Sequence, residues 1–149
     1  MLTEIIPNLW LSNYNTIKNQ NNNFIEEKNI KLIINCSKNI PFKKNMKKDE
    51  IKLIRYQIED GSPINYSKTF KINKMIFNYL SKNKGIICYC YEGTQCSPML
   101  IITYLIQYSK IDSKQIIKSV QSKNNLIFKP INNFETYLEK YRYNIFNHN

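Results

Sequence analysis

The stretch YCYEGTQCSP, residues 89–98, holds the side chains of this sequence best suited to covalent chemistry. Cys90 ends an apolar run, KGIICYCY, and a single glycine, Gly93, separates it from a second one, PMLIITYLI. The pattern predicts a strand, a tight loop and a helix. A cysteine where a strand meets a helix N-terminus is placed to act as a nucleophile, because the helix dipole and its free amides favour a thiolate there. The backbone N–H groups from about Tyr91 to Ser97, through Glu92, Gly93, Thr94, Gln95 and Cys96, would turn inward as a nest for a tetrahedral anion. Cys90 would then lie beneath the phosphorus, poised for displacement through a phosphocysteine. That chemistry also needs a cation on the equatorial oxygens, best a bidentate arginine, and a carboxylic acid to protonate the leaving oxygen. Asp60, in the turn EDGSP after IKLIRYQI, is the candidate acid, although a turn aspartate is an equally good reading of that pattern. The cation is missing: six residues beyond Cys90, where the loop would supply it, stands Cys96.

These side chains need elements to hold them. IIPNLWLSN alternates apolar residues around Pro7 and reads as one or two short edge strands. NYNTIKNQNNNFIEEKN reads as a short helix with an Asn-rich loop, KLIINCS as a buried strand, PFKKNMKKDE as a charged surface connection, and IKLIRYQI as a second strand. Phe70, Ile72, Met75, Ile76, Tyr79 and Leu80 recur at helical spacing between Tyr66 and Leu80. GIICYC is a strand, and PMLIITYLIQY a helix with Pro98 near its first turn. DSKQIIKSVQ predicts a helix capped by Asp112, and NNFETYLEKYRYN a last helix after Pro130. Phe134, Tyr137 and Tyr141 share one face of that helix and read as core. Strands alternating with helices predict an α/β domain whose central sheet is at least partly parallel. No internal repeat or boundary divides residues 1–149, so one domain is expected.

Composition narrows the function classes. With 149 residues, 42% of them apolar, the chain can bury one core without staples. It carries neither a long apolar span nor the pattern of a signal peptide, so a soluble, cytoplasmic protein is expected. Of the four cysteines, Cys36 and Cys88 read as small buried hydrophobes, and the spacing is not that of a disulfide framework. No Cys-x-x-Cys pair exists and the one histidine is His148, so neither a metal nor another cofactor is expected. The formal charge of +11 suits an acidic or phosphorylated partner. Direct nucleic-acid binding is disfavoured, since no zinc finger, stacking motif or basic helix accompanies the charge. The abundance of Lys, Asn, Ile and Tyr follows A- and T-rich codons and would suit a large DNA virus or a parasite.

In this order, the segments resemble the dual-specificity protein phosphatases, the compact branch of the cysteine-dependent tyrosine phosphatases that includes the poxvirus enzymes. IIPNLWLSN is similar to that family's opening strands, KLIINCS to its next core strand, and YQIEDGSPINYSKTF to the segment carrying its general acid. ICYCYEGTQCSPMLIITYLI resembles its signature loop and helix, and FKPINNFETYL its closing Pro, Phe and Leu pattern. The resemblance implies the compact phosphatase fold, with the Cys-loop between strand and helix. It implies Cys90 as nucleophile, Asp60 as general acid, Gly93 as the loop glycine, and Ser97 as the hydroxyl that helps expel the thiolate. Three positions depart: Cys96 replaces the motif arginine, Tyr89 a His before the nucleophile, and Ile131 an Asn that supports the loop.

Losing two charge-assisted hydrogen bonds of about 1.5–3 kcal/mol each removes on the order of 10² to 10⁴ in rate or affinity. A thiol without a neighbouring cation is ionised only to a few per cent near neutrality. No residue obviously substitutes, for Arg55 falls within a predicted strand and the lysines lie outside the loop. The expectation is a pseudophosphatase that binds a phosphorylated protein or peptide, or docks a protein partner, without a membrane. A slow phosphatase that recruits another cation, and a module switched by a Cys90/Cys96 disulfide, are the alternatives. Monomer and homodimer both stay open.

Overall fold

The computed structural model of the chain describes residues 1–20, 22–42 and 51–147. Most of the connection PFKKNMKKDE and His148 lie outside the described residues. Among the described residues, five strands form one sheet: β1 (Leu2–Ile6), β2 (Leu9–Asn13), β3 (Ile30–Asn35), β4 (Lys52–Arg55) and β5 (Gly85–Cys90), in the order β1-β2-β5-β3-β4. β1 is antiparallel to β2, and all the other pairings are parallel. Six helices among the described residues cover the sheet: α1 (Tyr14–Asn19), α2 (Asn22–Glu27), α3 (Tyr66–Ser81), α4 (Cys96–Ser109), α5 (Ser113–Lys123) and α6 (Glu135–Asn147). This is the mixed α/β sheet flanked by helices that the alternating pattern predicts.

Period-two alternation divides the core. Leu32, Ile34, Ile86, Cys88 and Cys90 face the layer of α3, α4, α5 and α6, whereas Ile33, Ile87 and Tyr89 face α1 and α2. The central helix α4 is buried almost all round, from Ser97 to Tyr104 and again at Ile106, as a helix apolar on every side must be. Each of its large aliphatic side chains contributes about 1.5–3 kcal/mol of burial, which anchors the helix whose N-terminus closes the Cys90 loop.

Several boundaries differ from the sequence reading. β2 is an interior strand, because β5 pairs with its free side from Leu9 to Asn13. The Asn-rich segment makes two short helices where one was expected. IKLIRYQI gives a strand of only four residues, yet Tyr56 N–H to Asn35 O (2.9 Å) and Ile58 N–H to Cys36 O (3.1 Å) carry the chain on towards Asp60. Asp112 stands at the N-cap of α5 without a side-chain cap bond; only its carbonyl joins the helix, accepting from Ile116 N–H at 3.0 Å. Phe134 and Tyr141 are core, while Tyr137 is half-buried.

Candidate active site

Register brings the chemistry together at the C-terminal ends of the parallel strands. Ile34 pairs with Cys88 and Asn35 with Tyr89, so the next residues, Cys36 and Cys90, end side by side. Beyond Cys90 the chain turns through a loop into α4. The loop's carbonyls are tied outward: Tyr14 N–H donates to Tyr91 O at 3.2 Å, and Phe128 N–H to Thr94 O at 2.8 Å. Two of its amides turn in. Gly93 N–H and Ser97 N–H point at Cys90 Sγ, at 3.2 and 3.5 Å, and Ser97 Oγ lies 3.1 Å from the same sulfur. Gly93 meets two demands that only glycine satisfies: its φ is +77°, and a Cβ there would stand 2.9 Å from Ser12 O and 2.5 Å from Met1 Cε.

An open cavity of about 330 Å³ lies over the sulfur. Tyr91, Glu92, Thr94, Gln95 and Cys96 line it from the loop, Cys36, Ser37 and Lys38 from the end of β3, and Ile58 and Asp60 from the segment after β4. The structure therefore gathers Cys90, Ser97, Asp60 and Cys96 at one place. Asp60 is fixed there by a residue the sequence reading did not single out: Asn133 Nδ2 donates to both carboxylate oxygens, at 3.1 and 3.2 Å. Asn133 N–H also donates to Gln95 Oε1 at 3.1 Å, and Gln95 Nε2 donates to Ile131 O at 2.8 Å. The loosening expected at Ile131 is thus met by the backbone, whose carbonyl supports the loop through Gln95 while the Ile131 side chain is exposed.

Cys96 supplies no positive charge. Its thiol reaches Ile58 O at 3.5 Å, and burial, followed by the neighbouring Cys90 and Asp60, pushes it up to about 12. Cys36 is pushed well above the ordinary thiol value, chiefly by burial and then by Cys88, Cys90 and Cys96, and Cys88 moves the same way. Cys36 is more than the core filler the sequence suggested, because it forms part of the cavity wall. Tyr89 belongs to the opposite face of the sheet, fully buried, with its hydroxyl donating to Pro41 O at 3.4 Å. Its phenol cannot touch the sulfur next to it in sequence.

The sequence reading found no substitute cation in the loop, and the structure adds to the cavity lining a lysine from outside it. Lys38 lines the cavity. It sits on a turn held by Arg55, whose Nη1 donates to Ser37 O and Lys38 O at 2.5 and 3.1 Å and whose Nη2 donates to Ile40 O at 2.8 Å. Arg55 is therefore a scaffold for that turn. Nothing in the spacing of residues 38, 55 and 90 announces the arrangement. Both thiols of the candidate redox pair, Cys90 and Cys96, line the same cavity and are free. Among the described residues no group of His, Cys, Asp or Glu could hold a metal ion, and no helix is long and apolar enough to cross a membrane.

Comparison with known proteins agrees with this architecture. The sequence is 28% identical over 141 residues to the tyrosine-protein phosphatase yvh1 of Schizosaccharomyces pombe; the match takes in 94% of this chain but only 41% of that protein, so the chain spans about two fifths of the curated relative's length. Among solved structures, the human tyrosine phosphatase-like serine/threonine/tyrosine-interacting protein superposes with a TM-score of 0.81 at 17% identity, covering 95% of each chain. Human DUSP28 gives 0.82 at 15% identity over 95% of this chain and 93% of that one. A leucine rich repeat and phosphatase domain containing protein from Entamoeba histolytica gives 0.79 at 19% identity, over 99% and 94%. The model of the dual specificity phosphatase catalytic domain matches residues 9–144, nearly the whole chain, and the protein belongs to that family.

Proposed function

We propose that this protein is a pseudophosphatase: a dual specificity phosphatase fold that binds a phosphorylated protein or peptide with little or no hydrolysis. The observation that carries this reading is Cys96. At the position from which the loop would present a forked guanidinium, the chain places a half-buried neutral thiol turned towards Ile58 O. The ground state and the transition state of phosphoryl transfer both lose the bidentate contacts, and the transition state loses the bracket on its equatorial oxygens. The inward amides and the N-terminus of α4 still favour an anion. Binding is what such a cavity retains. The fold itself does not entail turnover, and one of its structural relatives is described as phosphatase-like and interacting.

One observation favours the second reading, a slow phosphatase working through a Cys90 phosphocysteine: the Cys90 and Ser97 pair is in place at 3.1 Å. Hydrolysis of an aryl phosphate by the reduced protein, beside Cys90→Ser and Cys96→Arg variants, separates the two. Native protein at the Cys90→Ser background, with Cys96→Arg turning over, is the expected result. Cys90-dependent turnover by the native protein overturns the pseudophosphatase reading.

A further inference from the structure

We infer that Lys38 is the anion-recognising cation of the Cys90 cavity, delivering from the turn after β3 a positive charge that the loop itself does not supply. The inference rests on reading the cavity as a phosphate site, and it names the residue on which its affinity depends.

Three observations carry it. First, the charged side chains lining the cavity are Lys38, Asp60 and Glu92, so Lys38 is the one cation among the described lining residues. Of the two carboxylates, Asp60 already has both oxygens engaged by the Asn133 amide, while Glu92 lies exposed at the mouth. Second, the turn bearing Lys38 is built. Asn35 Oδ1 accepts from Ser37 N–H at 3.0 Å, Asn35 Nδ2 donates to Ile40 O at 2.8 Å, and Arg55 ties the carbonyls of Ser37, Lys38 and Ile40. The Arg55 guanidinium also lies 5.4 Å from the centre of the Phe42 ring, which fixes the donor as well as the acceptors. A cation on an otherwise loose loop would lose much of its attraction to the entropy of ordering the loop; this turn is already ordered. Third, the guanidinium of Arg55 is committed to three carbonyls and is not left to meet a ligand itself.

A lysine in this place also explains why binding and turnover part company. An ammonium is a compact point charge that attracts a tetrahedral dianion from one side. It lacks the planar fork that holds two equatorial oxygens as the phosphoryl group flattens. The chain would thus keep ground-state recognition and lose the transition-state contacts.

The test is titration of the full, reduced protein with inorganic phosphate and with phenyl phosphate, followed by amide NMR shifts of the 91–97 loop, at two ionic strengths. Lys38→Gln, Lys38→Arg and, as a surface control on α5, Lys118→Gln are compared with the native chain. Lys38→Gln is expected to weaken binding about 5- to 10-fold and to flatten its salt dependence, with Lys38→Arg restoring most of the affinity and Lys118→Gln staying within about twofold. Equal affinities of Lys38→Gln and native protein overturn the assignment of Lys38 and leave the phosphate reading standing. Equal losses in Lys38→Gln and Lys118→Gln mean only general attraction to a basic surface, and overturn it too. Absence of binding by the folded native protein removes the phosphate reading itself and this assignment with it.

Discussion

Asn133 Nδ2 donates to both carboxylate oxygens of Asp60, across 73 residues of sequence, at 3.1 and 3.2 Å. The contact joins the segment after Pro130 to the candidate acid, and through Gln95 Oε1 the same residue joins the candidate acid to the Cys90 loop. A carboxyl group that is to protonate a leaving oxygen must be aimed, and here one amide does the aiming.

The contact can be tested where there is activity to measure, in a Cys96→Arg background. Asp60→Asn is expected to lower kcat by about 10²-fold for a phosphomonoester with a poor leaving group and by much less for p-nitrophenyl phosphate. Asn133→Ala should lower kcat by a smaller factor on the same substrate and add almost nothing to Asp60→Asn. Additive losses would show that Asn133 acts independently of Asp60.

Gly93→Ala should destabilise the fold by about 1–3 kcal/mol, since an alanine is strained at a φ of +77° and its Cβ would press on Ser12 O. For a chain of this size that is a fall in Tm of several degrees. It should also displace the Gly93 N–H from Cys90 Sγ, so the resonances of the 91–97 loop should shift while those of α5 stay in place. A variant with native Tm would contradict the strain.

The cysteines shape the alkaline limb of stability. Cys96 is held up to about 12 when folded, against about 8.5 for a free thiol, so its contribution is full below the unfolded value and declines as pH rises from about 8.5 towards 12. Cys36 and Cys88 act in the same direction. Replacing Cys96 with Ala should therefore flatten the fall of Tm between about pH 8.5 and 10.5, without changing the slope at lower pH. Parallel Tm curves for the two proteins would show that Cys96 ionises as freely folded as unfolded.

Arg55→Leu removes three donors from the turn at residues 37–40 and should destabilise the protein by about 1–3 kcal/mol. Hydrogen exchange at the backbone amides of Ser37 to Ile40 should rise well above that of β3. Unchanged protection would mean that Asn35 alone holds the turn.

What the sequence determined is local. The apolar runs on either side of Gly93, the period-two alternation of GIICYC and the helical spacing from Tyr66 onward predict a strand, loop and helix with Cys90 at the junction, because backbone geometry repeats every two or 3.6 residues and side-chain polarity follows it. The same alternation puts Tyr89 on the face opposite Cys90. The departure at Cys96 is legible by another route, by counting from Cys90 against the motif of the family that the sequence resembles. Only the tertiary structure decided that Cys36 stands beside Cys90, that β2 lies inside the sheet, that Asn133 holds Asp60 and Gln95, and that Lys38 lines the cavity. These depend on the order and register of parallel strands and on the path by which the chain returns after α5. Polar residues such as Lys38 and Asn133, on turns with no repeating pattern, carry no mark of the distant partner they meet until the sheet and its helices bring the loop ends to one place.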